Sequence, residues 1–178
     1  MKKIILTVII TLVMLVVVIT AYIYSGNYNV SQMASHNRIT KWMIRTTKHY
    51  SIKKRLKSIK IPPLNDTAMI VQGFLHYNEM CVICHGAPGV DPDEIVQGLY
   101  PKPPVFYKSN DMPDPDEAFW IIKNGIKLTS MPAFSSTHTE RNIWEITDFL
   151  LNKMNKMSPS EYSVWVKKYS DQSVETKM

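Results

Sequence analysis

Acidic side chains are missing from the first third of this 178-residue chain, where the first Asp or Glu is Asp66. Cysteine occurs only twice, at Cys81 and Cys84, so neither thiol has another protein thiol to pair with. No segment alternates apolar and polar residues with period 2 at useful length, which argues against a sheet, and no internal repeat argues for a solenoid. The net charge of +6 is unevenly spread. Nine cations (Arg38, Lys41, Arg45, Lys48, Lys53, Lys54, Arg55, Lys57, Lys60) precede Asp66, whereas Thr67 to Met157 holds eleven acids against seven Lys and Arg. The segment with the candidate site is therefore mildly acidic, and a nucleic-acid-binding role, which wants a basic folded face, is not expected. The length allows one ordinary domain with extensions.

One long apolar run is present. Ile4 to Tyr24 carries no charge, and its clearly polar side chains are Thr7, Thr11 and Thr20. Crossing a bilayer core takes roughly 20 apolar residues, so this reads as a single transmembrane helix and makes the lipid bilayer a partner. The competing reading is a cleaved secretory signal with Lys2 and Lys3 as its n-region. The run exceeds the usual h-region of about 7–15 residues and no A-x-A site follows, which favours a retained anchor over 1–25. Charge alone does not orient it, because Lys2 and Lys3 oppose Arg38, Lys41, Arg45 and Lys48 on the other flank.

Residues 26–65 read as a basic linker. Its cations alternate with Ile39, Trp42, Met43, Tyr50, Ile52, Leu56 and Ile59 at partly helical spacing, fitting either a helix near the membrane surface or a solvated spacer. Ile61-Pro62-Pro63-Leu64 ends it. The folded domain is expected over 66–157. Asp66 is a good N-cap for a helix with Met69, Ile70, Gly73, Phe74 and Tyr77 on one stripe. The Pro- and Gly-rich stretch from Gly86 to Met112 reads as extended loop, long enough to need a bulky group to pack on. Asp114-Pro115-Asp116-Glu117 predicts a helix over 115–124 stopped by Gly125. A further helix starts near Thr137 or Thr139, with Thr137 and Glu140 at capping-box spacing, and runs through Ile143, Ile146, Thr147, Leu150 and Leu151. Residues 158–178 add a short helix, with Tyr162, Trp165 and Tyr169 on one side, and a loose tail.

The informative string is Cys81-Val82-Ile83-Cys84-His85. Two thiols at this spacing suit the two vinyl groups on a haem edge, with the adjoining imidazole placed to meet the iron. A thioredoxin-like motif needs a βαβ context that is absent. A zinc site needs two more ligands, which His76, His85 or His138 would have to supply without a second C-x-x-C or an H-x-x-x-H. A tight C-x-x-C disulfide is a further reading. For a sixth iron ligand, Met131 stands between two predicted helices, well after the motif, where a chain can fold back over the opposite haem face. Met112, His76 and His138 are competitors, and from composition alone Met131 is as readily a core side chain.

Residues from about Ala68 to Asn155 resemble the mono-haem class I cytochrome c domain of bacteria, in its membrane-anchored form. The resemblance rests on Gly73-x-x-x-Tyr77 leading into Cys81-x-x-Cys84-His85-Gly86, on Gly98-Leu99-Tyr100-Pro101-Lys102-Pro103-Pro104, on Asn124-Gly125-Ile126 through Met131-Pro132-Ala133-Phe134, and on Trp144 with Phe149. Ser130 and Ser135 stand where relatives often have glycine. It implies a mainly α fold, a small all-α class I cytochrome c domain wrapped around one haem, in which the helices of Gly73 and Trp144 cross closely. It also implies one haem c, covalent through Cys81 and Cys84, with His85 as proximal and Met131 as distal ligand.

Such a chain is expected to be an electron carrier and no enzyme in itself, free or as a subunit of an oxidoreductase complex. Attachment through both cysteines requires assembly outside the cytoplasm, so the expected location is a bacterial cytoplasmic membrane with the haem domain on the periplasmic side. Expected partners are membrane-bound redox proteins: a quinol-oxidising complex, a dehydrogenase or a terminal oxidase. The alternative of another class is a haem enzyme or gas sensor with an open sixth position.

Overall fold

Arg38, Thr67 and Glu140 each open a helix where a side chain satisfies an unpaired backbone N–H group of the first turn. The structure is a computed structural model and describes residues 1–169; the expected loose tail lies outside the described residues. Asn37 caps one helix by accepting from the Thr40 N–H, and Asp66 caps another by accepting from the Met69 N–H. The elements are α1 (Lys2–Tyr24), α2 (Arg38–Leu56), α3 (Thr67–Met80), α4 (Val82–His85), α5 (Pro115–Asn124), α6 (Glu140–Asn152) and α7 (Pro159–Tyr169), joined in part by short 3-10 turns. Among the described residues there is no strand, only an isolated bridge between Ala87 and Val90. The fold is mainly α, as the residues predict.

The chain divides into two units, residues 1–35 and a second from His36 onward. In the first, α1 has 23 residues, an 18-residue stretch of mean hydropathy 3.1 and no buried side chain. It is long and apolar enough to cross a membrane. The Thr7 and Thr11 hydroxyls donate to the Lys3 and Thr7 carbonyls one turn back, so these polar groups need no outside partner.

The second unit is built on the crossing of α3 and α6. Ile70, Gly73, Phe74 and Tyr77 are buried on α3. A Cβ placed on Gly73 would stand 1.9 Å from the Glu145 carbonyl oxygen and 2.9 Å from the Phe149 Cβ, so the two backbones touch where a side chain is missing. This is the close crossing that the resemblance implies. Every residue of α6 from Ile143 to Leu150 is buried. Its start is Thr139 rather than Thr137, and its capping box pairs Thr139 with Asn142 rather than with a glutamate. Thr137 instead ends a 3-10 turn over Phe134–Ser136.

Phe74 sits edge-on to Phe149, Tyr162, Trp165 and Tyr169, which seals α7 over α3 with the face expected from its spacing. Phe119 of α5 stacks on Trp144 of α6 at 4.1 Å. The segment read as a linker is helical as α2, packs on α5 and buries Ile52, so it belongs to the same compact unit as the domain.

Candidate functional site

Cys81 is delivered by the last turn of α3, its N–H donating to the Tyr77 carbonyl, and α4 then winds Val82 to His85 into one further turn. Tyr77 fixes this corner from within: it is 2 % exposed, and its hydroxyl donates to the Gly86 carbonyl at 2.9 Å. Both thiols are free, and each is half-buried. Burial, with Cys84 beside it, pushes the Cys81 thiol up to about 12, so it is held protonated at neutral pH.

His85 is oriented by the proline-rich loop. Its Nδ1 lies 2.8 Å from the Pro104 carbonyl oxygen, which accepts only if Nδ1 carries the proton. That tautomer leaves the Nε2 lone pair unprotonated, the form in which an imidazole binds a metal. Phe106, on a 3-10 turn of the same loop, stacks on the ring at 4.9 Å. Burial lowers the His85 pKa, and the Pro104 hydrogen bond opposes this, so neutral imidazole is favoured.

Met131 is placed by a chain reversal after α5. Gly125 adopts φ +66, and a Cβ there would lie 2.7 Å from the Met131 carbonyl oxygen, so only glycine lets the loop fold this tightly. The Ile126 N–H donates to that same carbonyl at 3.2 Å, and the Met131 N–H donates to Thr129 Oγ1 at 3.1 Å. The Met131 side chain is half-buried against the hydrophobic core, and Cys81, Val82, Phe106, Met112 and Phe134 are also among the half-buried side chains that border that core. These apolar groups come from three separate segments and stay partly exposed.

The competing ligand sets fare differently. His76 and His138 face one another, ring centroids 5.3 Å apart, with His76 Nε2 also 3.9 Å from Glu145 Oε2. Among the described residues no three His, Cys, Asp or Glu side chains converge as a metal site, so a protein-only zinc centre has no donor set. The βαβ setting of a thioredoxin-like motif is likewise missing among them.

The donor chemistry fits haem: two free thiols, an imidazole whose Nε2 is left unprotonated, a thioether on a loop, and half-buried apolar side chains on the segments that carry them. An all-α setting with this motif where α3 ends is the arrangement of a c-type cytochrome domain. Residues 68–150 match the family model described as Cytochrome C oxidase, cbb3-type, subunit III. No curated protein and no solved structure matches the chain. A domain of this class performs haem-based electron transfer, as a carrier or as an oxidase subunit.

Residue pattern alone does not mark the polar anchors behind the site. Asp148, fully buried on α6, accepts from the Asn65 and Asp66 N–H groups and from Asn152 Nδ2. It ties the start of α3 to the middle of α6, and through α3 it fixes where Cys81 emerges.

Proposed function

We propose that the chain is a membrane-anchored one-electron carrier in which Cys81 and Cys84 hold a single haem c covalently and His85 and Met131 are its axial ligands. The chemistry supplied by bound haem is a ferrous/ferric couple at a potential raised by thioether ligation. The residues of this chain do the rest. The Pro104 carbonyl keeps His85 in one tautomer and orientation, and the Gly125 reversal with Thr129 holds the Met131 loop. The tightly crossed α3 and α6 form a rigid base, so little rearrangement accompanies electron transfer. The single observation that carries the reading is the Nδ1–Pro104 contact of 2.8 Å, which commits Nε2 of the motif histidine to an acceptor role.

In this reading α1 is a retained anchor over residues 1–25, and the haem domain lies on the periplasmic face of a bacterial cytoplasmic membrane, where haem is joined to cysteine pairs. Tethering keeps the domain near membrane-bound redox partners and raises its effective concentration there. The description of the matching family favours a terminal oxidase among these partners.

The test is the intact mass of full-length protein purified from a host that matures c-type cytochromes. The expected mass is the unprocessed chain plus one haem, and Cys84→Ser should lower the fraction of chain carrying haem. A mass equal to the polypeptide alone contradicts covalent attachment, and loss of the first residues contradicts the anchor.

A further inference from the structure

Helix α2 has two apolar faces, of which its own domain covers one. Ile52 is buried where α2 meets α5, with Leu56 and Ile59 half-buried near it. Met43 lies nine residues earlier, two and a half turns away at about 3.6 residues per turn, and so on the opposite side. Ile39, Trp42, Met43 and Tyr50 follow helical i, i+3, i+4, i+11 spacing along that side and are 72, 66, 55 and 66 % exposed. Lys53, Lys54 and Lys57 extend the same side, all exposed, while Lys41, Arg45 and Lys48, 11, 7 and 4 residues before Ile52, lie exposed on the side of Ile52. No acid lies in α2 or before it.

We propose that this open face of α2 is a second membrane contact, laid along a lipid surface that carries anionic headgroups. The occupant follows from three observations. Ile39 and Met43 with Trp42 and Tyr50 give an apolar stripe with amphipathic aromatic rings, a composition suited to the boundary between acyl chains and headgroups. Lys53, Lys54 and Lys57 on this face have no acidic counterpart within the helix, so the complementary surface is anionic. The proposal rests on α1 being an anchor, and residues 25–37 between α1 and α2, at about 3.5 Å per residue, reach at most about 45 Å, which keeps α2 close to any bilayer that holds α1. Because α5 packs on the far side of α2, lipid contact along the open face restrains how the haem domain turns at the end of its tether.

Hydrogen exchange of the full-length holoprotein in nanodiscs tests this, comparing phosphatidylcholine alone with a phosphatidylcholine–phosphatidylglycerol mixture. Amides of residues 39–50 are expected to exchange about tenfold or more slowly in the anionic discs, while α3 and α6 exchange equally in both. Salt should reverse the effect, and so should Lys53→Gln/Lys54→Gln/Lys57→Gln. Trp42→Ser/Tyr50→Ser, which touches only exposed positions, should abolish it with α6 protection unchanged. Equal exchange of α2 in the two lipids, in protein that has entered the discs, overturns the docking face and leaves the anchor standing. Protein recovered outside the discs overturns both.

Discussion

Gly73 and Glu145 meet backbone to backbone: a Cβ on the glycine would lie 1.9 Å from the glutamate's carbonyl oxygen. A helix backbone cannot shift locally to make room, so Gly73→Ala must separate α3 from α6. The expected loss is about 3 kcal/mol or more in urea unfolding of the haem-loaded protein, at the upper end for single substitutions. An alanine variant within about 0.5 kcal/mol of the parent would show that the crossing is looser than described.

Asp148 holds three donors while fully buried. Asp148→Ala leaves the Asn65 and Asp66 N–H groups without their acceptor and is expected to cost about 2–4 kcal/mol. Asp148→Asn keeps the shape but turns one acceptor into a donor, so its loss should fall between. Thermal unfolding of the three proteins gives the order. An asparagine variant less stable than the alanine variant would contradict this account of the contacts.

His76 makes stability depend on pH in a set direction. Burial, and then the neighbouring His138, hold its pKa below the ordinary 6.5, against the opposing pull of Glu145 and Glu79. The unfolded chain therefore takes up this proton at a higher pH than the folded one. Stability is full above pH about 6.5, falls as pH drops from there to the folded pKa, and levels off below it. His76→Gln should flatten that part of a plot of urea midpoint against pH. The same slope in parent and variant would assign it to other groups.

The compact unit divides its charge, nine cations lying over residues 38–60 and eleven acids against seven cations from Thr67 to Met157, so a basic redox partner should be drawn to the latter part. Its electron-transfer rate with such a partner should fall by about tenfold or more as the Debye length shrinks from about 30 to about 8 Å. Stopped-flow reduction across a salt series measures this, and a flat profile contradicts steering by the acidic surface.

Helix boundaries were readable wherever local chemistry sets them. Asp66 as cap, Asp114-Pro115 as entry and Gly125 as stop place α3 and α5 directly. The start of α6 was less legible because Thr137 and Thr139 both offer a cap, and the preceding 3-10 turn takes Thr137. Burial of Glu145 and Asp148 was hidden, since carboxylates on a helix usually face water. Here α6 runs through the core, and Arg141, Asn142 and the α3 N-terminus supply their partners. The integration of α2 was equally hidden, because Lys41, Arg45 and Lys48 share the face that carries Ile52. At the site, the Cys81–His85 string is local and stands out. The Pro104 contact is made by a backbone carbonyl, which leaves no mark in residue identity.

The most direct test of the central claim, a six-coordinate His85–Met131 electron carrier, is the visible spectrum of membrane-extracted protein, oxidised, reduced and reduced under carbon monoxide, repeated on Met131→Ala. The account predicts a c-type spectrum that carbon monoxide leaves unchanged in the native protein and alters once Met131 is removed. Ready carbon monoxide binding by the native protein would contradict it and point instead to an open iron with a catalytic or sensing role.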